Sequence, residues 1–436
     1  MKRPLLLHIG LSKTGSSSIQ RVLAEQRPAM RAQGVYLPTS PGWANHALLP
    51  AAAVNDGRIL WGYHPGTWEG LSPAGRIARF REEFAAEMSR LPDDVQRVLI
   101  TAEQIGGVIR HAVETQRLAD MLAPYFSPIR VVVYLRRQDQ HAASAYSEWL
   151  RGGVMREPGL PAGGVEKHPE YDYGEMLDRW ASVFGDHAVT PRIFARDTLV
   201  DGDVVADFLQ VADMILPALQ DDPNRQSNPS LSLEGQGLLL AAGRRMEQRM
   251  RARGTPEVIW RDTPGWRRLA TALTEAMPGR GWRPSRAEAQ AFMERFAATN
   301  ERARRRFFPD RASLFSNDFS DLPEHPSVAP PEAVTQAALD VLLHEVETSA
   351  SREAAAAMAQ YRLNRRLNDR PAMRTCLVRA IKFAPDLLTP RLRLADFLLE
   401  EGDVRQARQH AEAALRIAPD DAGALRLGRL TAGREE

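Results

Sequence analysis

Short apolar runs, each broken by a glycine or a polar stretch, recur through the N-terminal half of the chain. Residues 5–9 form one such run, ending at Gly10, and predict a buried strand. A polar stretch over residues 11–18 follows, and then Ile19, Val22 and Leu23 take up helical spacing. Pro28 should interrupt that helix, and Gly34 closes the region before a short strand at Val35, Tyr36 and Leu37. Residues 97–101 and 130–135 predict two further buried strands, each followed by helical material, and residues 189–194 with 203–209 repeat the order. Strands alternating with helices predict an α/β fold, a parallel sheet flanked by helices on both faces.

The pattern changes twice more. Residues 231–308 are helical in spacing and rich in arginine, whereas residues 318–332 carry Pro323, Pro326, Pro330 and Pro331 and read as a linker. Beyond it, Ala384-Pro385-Asp386 recurs as Ala418-Pro419-Asp420, 34 residues later. Leu394, Leu398, Gly402, Ala407, Ala411, Ala414 and Pro419 sit where a helix–turn–helix unit needs apolar, small or turn residues. This segment resembles a tetratricopeptide repeat, whose period is 34. In the preceding unit Met373, Leu377, Ala380 and Pro385 fit, but Gln360 and Asn364 do not. The expected organisation is a first domain over 1–318, a linker and the start of a helical region over 319–350, and helical repeats over 351–436. Two units leave apolar faces open, so the repeats should meet another surface, in this chain, a second copy or a protein partner, through residues such as Leu392, Phe397 and Leu425.

Composition narrows the class. The chain has 436 residues, 44% hydrophobic and 26% charged, as in globular proteins. A formal net charge of +2 gives no bulk attraction for nucleic acid. The densest basic cluster, Arg302 with Arg304, Arg305 and Arg306, reads as a solvated helix face. A single cysteine, Cys376, excludes an intrachain disulfide and a multi-cysteine zinc site, and no metal site is expected. The N-terminal apolar run is too short for a signal peptide or a membrane span, so a cytoplasmic protein is expected.

The sharpest chemical signal is the stretch His8-Ile9-Gly10-Leu11-Ser12-Lys13-Thr14-Gly15-Ser16-Ser17-Ser18. A strand runs into small polar residues that open a helix, where backbone N–H groups and the helix dipole favour an anion. Gly15 allows close approach, Thr14, Ser16, Ser17 and Ser18 add hydroxyl donors, and Lys13 supplies a charge. The nucleotide triphosphatase loop, with lysine directly after its second glycine, does not fit, because Lys13 precedes Gly15. The order Lys-Thr-Gly-Ser-Ser-Ser is instead similar to the loop of sulfotransferases that use 3′-phosphoadenosine 5′-phosphosulfate (PAPS). That family often has proline where this chain has Ser12.

A second motif agrees. The strand at 130–135 ends at Arg136, and Ser144 lies eight residues later. This pair resembles the family's 3′-phosphate site, with Arg137 as an alternative to Arg136. Arg225 falls near the place where many members carry a basic loop over the same phosphate. The resemblance reaches to about residue 320, through Trp180 and the later helices, and implies a sulfotransferase (P-loop-like) fold and a PAPS co-substrate. It further implies transfer of a sulfuryl group to a hydroxyl or amine of an acceptor, with a carbohydrate or glycan the first guess.

In-line transfer needs charge stabilisation at the leaving oxygen, suited to Lys13, and a base for the acceptor proton. Glu103 follows the predicted third strand, where related enzymes carry a histidine or an acidic residue, and His46 falls where polysaccharide sulfotransferases carry a glutamate. His8 and His141 read as structural. Trp43, Trp61, Trp68 and Trp149 are candidates to stack on an acceptor, although tryptophans more often serve a core. Two other readings compete: a nucleotide-binding kinase or triphosphatase, and a non-catalytic protein built around the C-terminal repeats.

Overall fold

The computed structural model describes residues 2–55, 72–216, 230–252, 264–329 and 331–432. Trp61, Trp68 and Arg225 lie outside them. The chain divides into two compact units, Met1–Pro330 and Pro331–Glu436.

The first unit begins with β1 (Arg3–Ile9), α1 (Ser16–Glu25), α2 (Arg27–Ala32), β2 (Val35–Tyr36), α3 (Leu48–Ala53) and α4 (Pro73–Ser89). Next come β3 (Arg97–Ala102), α5 (Glu103–Val108), α6 (Ala112–Leu122), β4 (Phe126–Leu135), α7 (Gln138–Arg151) and α8 (Tyr173–Phe184). It continues with β5 (Val189–Ile193), α9 (Val204–Val211), α10 (Leu233–Ala252), α11 (Pro264–Ala276), α12 (Arg286–Glu294) and α13 (Ala297–Phe307). The five strands form one parallel sheet in the order β2-β3-β1-β4-β5. Pro28 does not simply end a helix. It occupies the first turn of α2, where a missing N–H costs nothing.

Alternation along β1 explains the layers. Leu5, Leu7 and Ile9 pack with Phe80, Leu118 and Trp180 on one face, while Leu6 packs with Ile19, Val22 and Phe208 on the other. Thus α1 and α9 cover one face, and α3, α4, α6 and α8 the other. Trp180 is fully buried and stacked on Phe184, so it serves the core. Because β1 leads to α1 on one face and its neighbour β3 leads to α5 on the other, their loops part at the carboxyl edge. That parting is where open α/β sheets hold ligands.

The proline-bearing stretch after α13 belongs to the first unit rather than to a linker starting near 318. Phe319 and Leu322 are buried against Ala289, and Ser327 N–H donates to the Arg283 carbonyl. The arginines of α13 are drawn into ion pairs, Arg304 and Arg305 with Glu301 and Arg306 with Asp178 and Asp186.

The second unit is helical: α14 (Pro331–Arg366), α15 (Arg370–Phe383), α16 (Leu388–Glu400), α17 (Val404–Ile417) and α18 (Ala422–Ala432). Its 34-residue period is written in the backbone. Asn368 and Gly402 both have positive φ, Asp369 and Asp403 both cap a following helix, and Ala384 and Ala418 share φ near −141° and −142°. Asn364, the misfit of the earlier unit, is buried and satisfied, accepting from Gln360 and donating to Cys376. Of the residues expected to dock elsewhere, Phe397 is buried within this unit and has Arg370 over its ring. Leu392 packs against Ala395, Ala411 and Leu427, and Leu425 is exposed. No described helix is long and apolar enough to cross a membrane.

Candidate functional site

Three strand ends build the site: Gly10 after β1, Glu103 after β3 and Arg136 after β4. The loop after β1 turns through Lys13, with φ 60°, and Gly15, with φ 81°, before α1 begins at Ser16. Both are left-handed conformations, and at Gly15 a Cβ would also stand 2.6 Å from the Val204 side chain. Gly10 solves a different problem: a Cβ there would meet Ser16 Oγ at 2.6 Å and the Glu103 backbone at 2.7 Å. Its absence lets β3 deliver Glu103 beside the loop. Ser18 and Ile19 N–H both donate to the Gly15 carbonyl, at 3.0 and 3.1 Å, so the amides that the start of α1 can offer to an anion are those ahead of them, at Ser16 and Ser17.

The hydroxyls divide their work. Thr14 Oγ1 and Ser16 Oγ both donate to the Leu11 carbonyl, at 2.8 and 3.1 Å, and Thr14 is fully buried. Thr14 therefore shapes the loop with its side chain and borders neither lobe of the cleft, contrary to its expected place among the ligand donors. Ser16, Ser17 and Ser18 border the cleft.

Arg136 is held from several sides. Its Nη1 donates to the Lys13 carbonyl at 2.7 Å, its guanidinium lies 5.5 Å from the Phe194 ring centroid, and Tyr173 Oη donates to its carbonyl at 2.7 Å. His141 bridges that hydroxyl and Ser12 Oγ, at 3.3 and 3.0 Å. Since Tyr173 donates to Arg136, the network assigns the imidazole proton to Nδ1 and leaves Nε2 to accept from Ser12. Burial pushes the His141 pKa down to about 3, so the bridge is neutral. Arg136 Nε is buried without a hydrogen-bond partner among the described residues, a donor kept for something else.

Arg137 turns the other way. It grips Asp139 through two bonds of 2.8 and 3.0 Å, donates to the Ser316 and Asp318 carbonyls, and stacks on Phe319. This clasp is structural, which separates Arg137 from Arg136. Replacing Arg137 with alanine should cost about 3–5 kcal/mol of stability, because buried Asp139 would lose its counter-charge. Urea denaturation measures this, and a loss below about 1 kcal/mol contradicts the assignment.

The two candidate bases also part. Glu103 borders the cleft, with Ser17 Oγ 3.4 Å from its Oε2. Burial and then the Glu148 charge raise its pKa, against the lowering influence of Lys13 and Ser17. His46 is fully buried and borders neither lobe. Its Nδ1 accepts from Thr101 N–H at 3.0 Å, and burial pushes its pKa down to about 3. The lone pair a base would use is occupied, so the expectation placed on His46 is not carried forward. Neighbouring Asn45 accepts from Glu103 N–H at 3.3 Å, so this loop positions Glu103 instead. His8, also neutral and buried, bonds Thr101 Oγ1 at 2.8 Å.

Lys13, Arg136, Ser144 and Glu148 line a cleft with two lobes of about 820 and 660 Å³. The smaller lobe holds the α1 loop, Glu103, Phe194 and the start of α9, and the larger is walled by α7, α11 and the turn before α12. Sequence reasoning missed Gln140, Ser147, Glu148 and Arg151, which join Ser144 on the cleft face of α7. Their spacing of three or four residues was the available signal. Lys13 Nζ lies 3.3 Å from Glu148 Oε2. Among the tryptophans, Trp43 is exposed beneath the Arg27 guanidinium and Trp149 lies beneath Arg156.

No family model matches the chain. An uncharacterized protein of Archaeoglobus fulgidus is 30% identical over 105 residues, which cover 24% of this chain and 27% of that protein. The match thus spans about a quarter of that relative's length. Among solved structures, a crystal structure of a sulfotransferase from Alicyclobacillus acidocaldarius matches with a TM-score of 0.32 and 16% identity, covering 61% of this chain and 100% of that one.

Proposed function

We propose that the first unit is a PAPS-dependent sulfotransferase that moves a sulfuryl group to a hydroxyl of an acceptor, with a glycan-like acceptor as the first class to try. One observation carries the reading: a lysine-bearing anion loop and a strand-end arginine with its helix serine line the same cleft. That arrangement suits a nucleotide with two separated phosphate sites. The loop amides, Lys13, Gly15, Ser16, Ser17 and Ser18 would hold the 5′-phosphosulfate, and Arg136 with Ser144 the 3′-phosphate. The unpartnered Nε of Arg136 fits that assignment.

The chemistry then follows from the residues. Glu103 accepts the proton of the acceptor hydroxyl as its oxygen bonds to sulfur. The bond from sulfur to the bridging phosphate oxygen breaks, and Lys13 meets the charge that gathers there.

Adenosine 3′,5′-bisphosphate tests the nucleotide assignment. At a hundredfold excess over its dissociation constant it should stabilise the protein by about 2.7 kcal/mol, read in a denaturation titration. ATP with magnesium lacks the 3′-phosphate and should do much less. Equal stabilisation by the two nucleotides would favour a kinase or triphosphatase.

A further inference from the structure

We infer that Glu148 is a built-in competitor for Lys13, a carboxylate that holds the loop lysine until an anionic ligand takes its place. The inference rests on the nucleotide reading above for the identity of that ligand, and on geometry for the rest.

Glu148 stands on the cleft face of α7, one turn beyond Ser144, and borders both lobes. Its Oε2 lies 3.3 Å from Lys13 Nζ, so it occupies the position from which an anion bound in the α1 loop would meet that ammonium. The same oxygen is 3.7 Å from Arg151 Nη1, one turn further along the helix. A carboxylate displaced from Lys13 therefore has a second cation already within reach. The Glu148 side chain is 57% exposed, against 26% for Lys13. Leaving the pair thus exposes no buried charge, and the pair is weak enough for a multiply charged ligand to break. A neutral partner on α7 would hold the lysine without repelling the incoming anion. A carboxylate does both, and so discriminates against weakly bound anions.

The test combines Glu148→Gln with Lys13→Ala in a double-mutant cycle. The probes are adenosine 3′,5′-bisphosphate and inorganic pyrophosphate, with dissociation constants read by calorimetry. Glu148→Gln should tighten binding roughly twofold to fivefold, the range expected of an exposed ion pair. In the Lys13→Ala background the same change should tighten binding less, because the repulsion is relieved but there is no lysine to release. Equal tightening in both backgrounds would mean simple repulsion of the anion and would overturn competition. Weaker binding by Glu148→Gln would overturn it as well, since Glu148 would then be supporting the ligand.

A second readout needs no ligand. Acetylation of Lys13 by acetic anhydride, followed by mass spectrometry, should be faster in Glu148→Gln than in the parent protein. Equal rates would show that the pair does not hold the lysine. If pyrophosphate binds and the bisphosphate does not, the nucleotide reading fails while the competition is still decided by the pyrophosphate cycle.

Discussion

Lys13→Ala is expected to lower turnover by about 100-fold or more, near 3 kcal/mol in the barrier, by analogy with removing one preorganised donor from a charge-stabilising site. The assay follows release of adenosine 3′,5′-bisphosphate from PAPS against a panel of hydroxylated acceptors. The loss should fall mainly on turnover, because the proposed nucleotide ligands Arg136, Ser144 and the amides of α1 are left in place. Near-normal turnover with any accepted substrate would remove Lys13 from the chemistry.

Glu103→Gln should cost about 100- to 10,000-fold, the usual range for a positioned general base, with the nucleotide still bound. The pH profile adds a sign. A base works ionised, so activity falls as pH drops through the pKa of Glu103. Burial and the nearby charge of Glu148 raise that pKa, so the acid limb should lie above the ordinary carboxylate range. Glu148→Gln removes one raising influence and should move the limb to lower pH. Lys13→Ala removes a lowering influence and should move the residual activity's limb to higher pH. A limb unmoved by either change would mean that another group sets the acid side.

Much of the frame was legible from local pattern. The strand at 97–102 is a short apolar run buried from residue 98 on, and a buried parallel strand needs little more, whereas the edge strand at 189–193 is half-buried at Thr190, Pro191 and Arg192. The turn from β1 into α1 was legible for a similar reason, since its residues are contiguous in sequence. What could not be read was set by long-range packing. Thr14 and Ser16 look equivalent as hydroxyl donors, and only the fold directs both to the Leu11 carbonyl while leaving Ser16 on the cleft. His46 had a suitable intrinsic pKa, but the approach of its loop to Thr101 buries the ring and spends Nδ1. Arg136 and Arg137 are adjacent on the chain, and their separate fates depend on Asp139, Ser316 and Asp318. Ser12 has a role visible only in space, its bond to His141.

The caps spaced 34 residues apart make the helical unit a linear object. Each helix packs chiefly on its neighbours in the chain, and contacts between distant ones are few. In such an array stability is close to a sum of local and nearest-neighbour contributions, as in a one-dimensional lattice. Insertion or removal of a whole period would keep every junction between Asn368 or Gly402 and the cap that follows it. A change of another length within a helix would rotate the side chains that follow it away from the faces they pack on. Length can therefore vary most cheaply in this unit in whole periods, while the sheet, whose strands pair far across the sequence, has no equivalent freedom.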